Sequence, residues 1–563
     1  MNLTIRHFPA SSADIQPDPG KMHNCLFTGL YEEEIEVNSK TRRFYIYLAP
    51  DLTASRPVLV TALPSDADPV QFLRESGLTE LAAEEKLYVI LAVPDNGGWD
   101  TAGRDADYLN AVYKKILGRE HYILVQECIY LIGVGDGSTP VHEAAAKMPE
   151  NWSGVASTGT ICEEITDFLH TQAFADGPVQ MPVYMALPVE NRASDRLLAY
   201  WQAQNRTTSE TYSGEGADLI FRPSPVNRQF SINDVQVSEI RLTYETSEYS
   251  DLQRTIRRFW QFLKKNRRHR GIARKHMRPY TDWREYGAEE YSTEIDGYTR
   301  TWLEYVPESV RNGNTEVPLV VVMHGRTQSS EIIFDLTSMA WAAEQFGFIA
   351  VFPRAGIYRM SENSVPNVPL WQGNCAGKNF DDVKFIRTVV SEEERRRKID
   401  HSRIYACGFS SGGCMSYDLG IQASDLFAAI CCFSGFGVRY HNGIREDDTH
   451  TPVRPIGTKL IVGAEDNAFA DTQADNPYGL QDGVSKALMR WVEAFSSTEY
   501  SEYSVGGKRY KVHMNQRGIP MVTVCTVDDM PHAVYPSESF EAYEFFCQFS
   551  RIDGELYYMG RKV

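Results

Sequence analysis

Short apolar runs rich in β-branched residues recur along the chain, at 57–62, 90–94, 129–132, 318–323, 349–353, 404–407, 429–433 and 521–527. Each is followed by a turn and then by a stretch of helical periodicity. A strand apolar on both faces must be covered on both, so this alternation predicts mainly parallel sheets with helices on either side. The fold class is α/β, as two tandem three-layer sandwiches. The runs ending at Pro50 and Pro307 alternate more strongly and predict antiparallel edge strands.

The two halves repeat one another. Ile404-Tyr405-Ala406-Cys407-Gly408-Phe409-Ser410-Ser411-Gly412 aligns with Ile129-Tyr130-Leu131-Ile132-Gly133-Val134-Gly135-Asp136-Gly137 at an offset of 275. Pro318 through Met323 aligns with Pro57 through Ala62, and the stretch ending at Pro353 aligns with that ending at Pro94. Several blocks in one order point to a tandem duplication, with copies at about 25–263 and 290–555. Three parts are expected: a first domain over 1–263, a linker over 264–289 and a second domain over 290–563. Residues 264–278 hold eight Lys or Arg and follow a helix end, which predicts a solvated turn and linker.

Composition narrows the function. The 563 residues carry 57 Lys+Arg against 75 Asp+Glu, a formal charge of −18, and such a surface repels phosphates, so nucleic acid is not an expected partner. No apolar run reaches the roughly 18 residues of a membrane helix, and the first residues lack the apolar stretch of a secretory signal. The expectation is a cytoplasmic protein without a membrane partner. The ten cysteines include no C-x-x-C pair and fall largely inside apolar runs, as reduced, buried thiols.

The candidate chemistry lies in the second copy. Gly408-Phe409-Ser410-Ser411-Gly412 has G-x-S-x-G spacing, with an apolar strand entering and a helical pattern leaving. A sharp strand–turn–helix leaves no room for side chains beside the turn and lifts the Ser410 hydroxyl out of the sheet beside a helix N-terminus. A serine needs a base. Residues 458–466 form an apolar run ending at Asp466, and 521–527 form another, followed by Asp528-Asp529-Met530-Pro531-His532. In a parallel sheet both ends open on the edge that holds Ser410. His532 would then be the base and Asp466 its orienting acid, with Asp471, Asp475 and Asp529 as rival acids. The oxyanion donors expected are the N–H of Ser411 and, from the loop His324-Gly325-Arg326, the N–H of Arg326. No metal-ligand spacing and no phosphate loop occurs, and acyl transfer requires neither a metal nor a cofactor.

These motifs, together with His324-Gly325-Arg326-Thr327-Gln328, Asp381-Asp382-Val383-Lys384-Phe385-Ile386, Gly463-Ala464-Glu465-Asp466 and Pro531-His532-Ala533, resemble the polyhydroxybutyrate depolymerase and feruloyl-esterase type of α/β-hydrolase. The likeness spans nearly all of 290–550. It implies a secreted serine esterase acting on polyesters or on acyl groups of plant polysaccharides. Arg326 stands where that family often has cysteine, removing a possible disulfide, and with no visible export signal this favours an enzyme of small or imported esters. His324, Trp371 and Tyr535 are expected in the substrate pocket. Relative to the first copy, the second gains sixteen residues between Pro353 and Ser410, the offset rising from 259 to 275, and this loop would present Trp371 as a wall.

The first copy has Gly135 at the nucleophile position, Val189 or Glu190 near the acid position, and no histidine from 171 to 268. It cannot run serine hydrolysis. Its expected role is structural: packing on its twin, shaping the site's rim or making a homo-oligomer. The leading expectation is a serine carboxylesterase of hydroxycinnamoyl, acetyl or hydroxyalkanoate esters. A peptidase or amidase on the same fold, and a non-catalytic binding or assembly module, are the alternatives.

Overall fold

The protein is described from a computed structural model. It covers the chain apart from residues 1–2, 11–14, 16–17, 96, 102, 119–120, 173–178, 189–190, 214–218, 224–237, 245–250, 270–276, 312, 359–367, 372–373, 376–377, 380, 438, 441–442, 445–449 and 472. The chain divides into two units. The first comprises Met1–Gln16 and Asn24–Tyr280, the second Pro17–His23 and Thr281–Val563.

In the first unit the strands are β1 (Gly29–Val37), β2 (Lys40–Leu48), β3 (Arg56–Ala62), β4 (Tyr88–Ala92), β5 (Leu124–Val134), β6 (Val155–Thr158), β7 (Val183–Leu187), β8 (Thr207–Ser213), β9 (Leu219–Pro223) and β10 (Ile240–Tyr244). Their order across the sheet is β1-β2-β4-β3-β5-β6-β7-β10-β9-β8, with the short strand Ile5–Arg6 added beside β1. In the second unit the strands are β11 (Glu289–Ile295), β12 (Tyr298–Tyr305), β13 (Val317–Met323), β14 (Ile349–Pro353), β15 (Ile399–Phe409), β16 (Ala429–Phe433), β17 (Gly457–Gly463), β18 (Glu499–Val505), β19 (Lys508–Met514) and β20 (Pro520–Val527). They run β11-β12-β14-β13-β15-β16-β17-β20-β19-β18. Strand for strand this is the order of the first unit, and the central pairings agree residue by residue. Ala62 faces Gly133 in one sheet, and Met323 faces Gly408 in the other.

The six central strands of each sheet are parallel, and every residue of β4, β7, β14, β16 and β17 is buried. The sheets are therefore covered on both faces by helices, as in any doubly wound α/β domain, and the C-terminal ends of the strands share one edge. No helix among the described residues is long and apolar enough to cross a membrane.

Two expectations change. The runs ending at Pro50 and Pro307 are antiparallel but are not edge strands, because β1 pairs outside β2 and β11 outside β12, and in the first unit Ile5–Arg6 pairs outside β1 in turn. The hairpins close through two residues with positive φ, Asn38 and Ser39 in one and Asp296 and Gly297 in the other, the backbone a two-residue hairpin turn requires.

Nor are the described residues of the basic segment, 264–269 and 277–278, a solvated linker. Asn266–Arg268 pairs antiparallel with Met277–Pro279, and Asn266, Arg267, Arg268 and His269 are buried in the first unit. Arg268 donates from Nε to the Trp152 carbonyl at 2.6 Å and from Nη2 to that of Gln180 at 2.8 Å. The Arg267 guanidinium lies over the Tyr280 ring at 3.8 Å. These guanidiniums supply donors to carbonyls that end strands and loops, so the first unit extends to Tyr280. Arg268→Ala strands those acceptors in the interior and is expected to destabilise the first unit by about 3 kcal/mol. A lowered urea midpoint reads this, whereas Arg257→Ala, whose partner Glu84 is on the surface, leaves the midpoint unchanged.

Candidate active site

β15 ends at Phe409 and the helix Ser411–Gln422 begins two residues later, so Ser410 must turn the chain within one residue. Its backbone sits at φ 55° and ψ −114°, a region costing about 1–3 kcal/mol for a residue with a side chain. The surroundings admit nothing bulkier than glycine. A Cβ on Gly408 or Gly412 would collide with the Met323 carbonyl, and one on Gly435 would collide with the carbonyl of Ser410 itself. The Ser410 N–H donates to the Phe433 carbonyl at 2.8 Å, locking the turn to the end of β16. Ser410 remains only 8 % exposed.

The three residues expected to act together are brought together. Ser410 Oγ lies 2.9 Å from His532 Nε2, and His532 Nδ1 lies 2.9 Å from Asp466 Oδ2. Asp466 follows β17 and is fully buried. Its other oxygen accepts the Ala468 N–H at 3.0 Å, which fixes the carboxylate toward the imidazole. The acid and histidine loops are tied together, Ala464 N–H to the Val527 carbonyl at 2.9 Å and Glu465 N–H to that of Met530 at 3.0 Å. Among the rivals, the Asp471 carboxylate accepts the Gln473 N–H of its own loop.

Sequence reasoning missed the aromatic slot around the base. His532 stacks on Phe469 with centroids 5.6 Å apart and 16° between the planes, and the Phe409 ring lies 5.0 Å from it at a tilt of 35°. Phe409, inside the elbow motif itself, was the visible signal. Gly435, two residues past β16, left none.

The loop after β13 is held from behind. Gly325 N–H donates to Gln328 Oε1 at 2.8 Å, Gln328 N–H to the Gly325 carbonyl at 3.1 Å, and Thr327 N–H to the Pro369 carbonyl at 3.0 Å. His324 is fully buried. Its Nδ1 bonds the Gly325 carbonyl at 2.7 Å, and its Nε2 accepts the Ala355 N–H at 3.0 Å, so the ring is neutral with its proton on Nδ1. Burial holds its pKa down to about 3. His324 thus braces the loop and does not line a pocket.

Trp371 is likewise no wall. It is 5 % exposed, and its indole N–H donates to the His324 carbonyl at 2.7 Å, behind the same loop. Tyr535 is buried at 4 % exposure. Of the remaining loop residues, Pro366 and Gln372 lie outside the described residues.

The corresponding corner of the first unit is built alike and filled differently. By the strand register Leu63 matches His324, Ser65 matches Arg326, and Gly135 and Asp136 match Ser410 and Ser411. The Trp99 indole donates to the Leu63 carbonyl at 2.7 Å, as Trp371 does to that of His324. Gly135 takes φ 63°, so the elbow persists without a nucleophile. The Asp136 carboxylate accepts the Ser65 N–H at 2.9 Å and also bonds the Ser65 hydroxyl, so the amide matching Arg326 already holds an anion. Val189 and Glu190, the candidate acid positions, lie outside the described residues.

Among known proteins, residues 303–450 match the family model "Esterase PHB depolymerase". The chain is 25 % identical over 244 residues to Feruloyl esterase B of Piromyces equi, covering 42 % of this chain and 43 % of that protein. It is 26 % identical over 213 residues to Feruloyl esterase B of Thermothelomyces thermophilus, covering 33 % and 67 %. It thus spans less than half the length of the Piromyces protein. Among solved structures, an acetyl xylan esterase from Aspergillus awamori aligns over 46 % of this chain and 99 % of its own at 14 % identity, with a TM-score of 0.32.

Two outcomes follow from this geometry. Gly435→Ala pushes on the Ser410 carbonyl and is expected to lower turnover roughly 10²-fold in a chain whose circular dichroism is unchanged, because small misplacements at a reacting centre cost that much. The second concerns pH. His324 and the buried His142 are held at about 3, and His23 well below its ordinary value, in each case first by burial. All lie below the unfolded value near 6.5. The unfolded chain therefore binds more protons in between, and the stability is fully present above about pH 6.5 and lost as pH falls toward 3, by up to about 1.4 kcal/mol per unit per histidine. Thermal midpoints at pH 7.5 and 5.5 measure it.

Proposed function

We propose that the protein is a serine carboxylesterase working through Ser410, His532 and Asp466, in keeping with the similarity of residues 303–450 to the polyhydroxybutyrate-depolymerase esterase model and of the chain to feruloyl esterases. The observation that carries this reading is the continuous hydrogen-bonded line from the Ser410 hydroxyl through both nitrogens of His532 to a buried carboxylate. His532 Nε2 takes the hydroxyl proton as Ser410 Oγ attacks the ester carbonyl carbon. The same proton then passes to the leaving alcohol, and water repeats the cycle on the acyl-enzyme. Asp466 keeps the Nδ1–H tautomer and stabilises the imidazolium, which the Phe469 and Phe409 rings contact.

The oxyanion of the tetrahedral intermediate meets the N–H of Ser411, at the first position of a helix where no intrahelical acceptor exists, and the N–H of Arg326. The anion held by Ser65 N–H in the first unit supports the second assignment, since that amide occupies the matching place. Hydroxycinnamoyl, acetyl and hydroxyalkanoate esters are the proposed substrates, in keeping with the names of the relatives. The first unit, with Gly135 at the elbow and its anion site occupied from within, is a non-catalytic partner.

A fluorophosphonate probe should label the protein and fail to label Ser410→Ala. On a panel of hydroxycinnamoyl, acetyl and hydroxyalkanoate esters, Asp466→Asn and His532→Ala should each lower kcat by roughly 10³–10⁵-fold. Retained labelling in Ser410→Ala, or a normal rate in either partner variant, refutes the assignment.

A further inference from the structure

The two units share a second constellation. In the second unit Arg300, on β12, bonds Asp382 Oδ1 at 2.6 Å and the Arg354 carbonyl at 3.4 Å. In the first, Arg42, on β2, bonds Asp105 Oδ1 at 2.5 Å and the Val93 carbonyl at 3.2 Å. Asp382 and Asp105 both lie in the first turn of the helix that follows. The surroundings then diverge. The second unit closes this corner. Arg300 and Asp382 are 1 % and 0 % exposed, and His23, from Pro17–His23, is buried under the influence of the Arg354 and Arg300 charges. In the first unit the Arg42–Asp105 pair is also buried, at 9 % and 3 % exposure, but it borders a cavity of about 480 Å³ lined further by Lys40, Asp95, Trp99, Asp100 and Arg104, with Val37, Asn38 and two glycines.

Three cations and three carboxylates line that cavity, and they are paired. Lys40 lies 3.0 Å from Asp95, Arg104 Nε 2.6 Å from Asp100, and Arg42 bonds Asp105. Balanced charge of this kind selects against most ligand classes. A phosphate or carboxylate meets three aspartates, an amine meets three cations, and an apolar molecule would bury six charges without replacing their hydration. A hydroxyl is different, because it donates to a carboxylate and accepts from a guanidinium at once and so bridges an ion pair without adding charge. The Lys40 and Arg104 pairs are largely exposed, with the two cations 70 % and 74 % exposed, so water already screens them and a ligand can slip between them at small cost. Trp99 adds an apolar face whose orientation is fixed by its N–H on the Leu63 carbonyl.

We propose that this cavity of the first unit is a binding site for a neutral polyhydroxylated ligand, a sugar or short oligosaccharide, held by hydroxyl bridges across the Lys40–Asp95 and Arg104–Asp100 pairs with a ring face on Trp99. Its volume falls in the range of about 300–1,000 Å³ typical of small-molecule sites. The site uses no residue of the candidate triad and stands whether or not the second unit hydrolyses esters.

The test titrates the full-length protein with cellotetraose, xylotetraose and mannotetraose by isothermal calorimetry, with glucose 6-phosphate and spermidine as charged controls. At least one neutral tetrasaccharide is expected to bind with a Kd of about 1 mM or tighter. Asp100→Ala and Arg104→Ala, surface changes that leave the fold intact, should weaken it by about tenfold or more, and Trp99→Ala should do so where it folds. Hydrolysis of p-nitrophenyl acetate should be unchanged in the two surface variants. Absence of heat with every neutral probe at about 10 mM, binding indifferent to Asp100→Ala and Arg104→Ala, or binding of a charged control alone would overturn the proposal.

Discussion

One strained residue governs the second unit. A serine at φ 55° persists only because the neighbouring backbones leave the chain no other course. The Met323 carbonyl presses on Gly408 and Gly412, and the Ser410 carbonyl presses on Gly435. Three parallel strands, β13, β15 and β16, must end at one level for these contacts to exist. The strain is thus supported by the packing of the whole sheet, and in return the hydroxyl stands where His532 reaches it without rearrangement. The acid and base arrive by the same logic, since β17 and β20 are neighbours in the same parallel sheet, one strand beyond β16, and their loops are hydrogen-bonded to each other.

The same frame without a side chain at that turn leads elsewhere. In the first unit the elbow persists at Gly135, where φ 63° carries little cost, and the amide that would face an oxyanion is satisfied by Asp136. The carboxylate that accepts from it stands one residue past the elbow. The two sheets therefore share strand order, register, the tryptophan brace and the buried Arg–Asp pair while differing at the positions that decide chemistry.

Bracing behind the loop after β13 explains why several residues that look like pocket residues are interior. His324 and Trp371 are both buried and each donates a ring N–H to a backbone carbonyl of this loop, so they order it from within. Charge behaves similarly in 264–278. A run with eight basic residues reads as a solvated segment, yet Arg268 is buried, where its guanidinium reaches the Trp152 and Gln180 carbonyls in the connections that lead into β6 and β7.

The sequence by itself determined the α/β class, the repeated order of strands and the three residues of the line Ser410–His532–Asp466. These depend on local pattern: apolar runs covered on both faces, glycines spaced around a turn, and polar residues at strand ends that a parallel sheet gathers on one edge. Only the tertiary structure decided which of these residues face the site and which lie behind it. It placed Phe469 and Phe409 against His532, buried His324, Trp371 and Tyr535, paired hairpin strands outside β2 and β12, drew Arg268 inside, and set Asp136 on Ser65. Each of those outcomes is settled by hydrogen-bond partners and packing surfaces supplied from distant parts of the chain, and spacing along a single sequence carries no record of them.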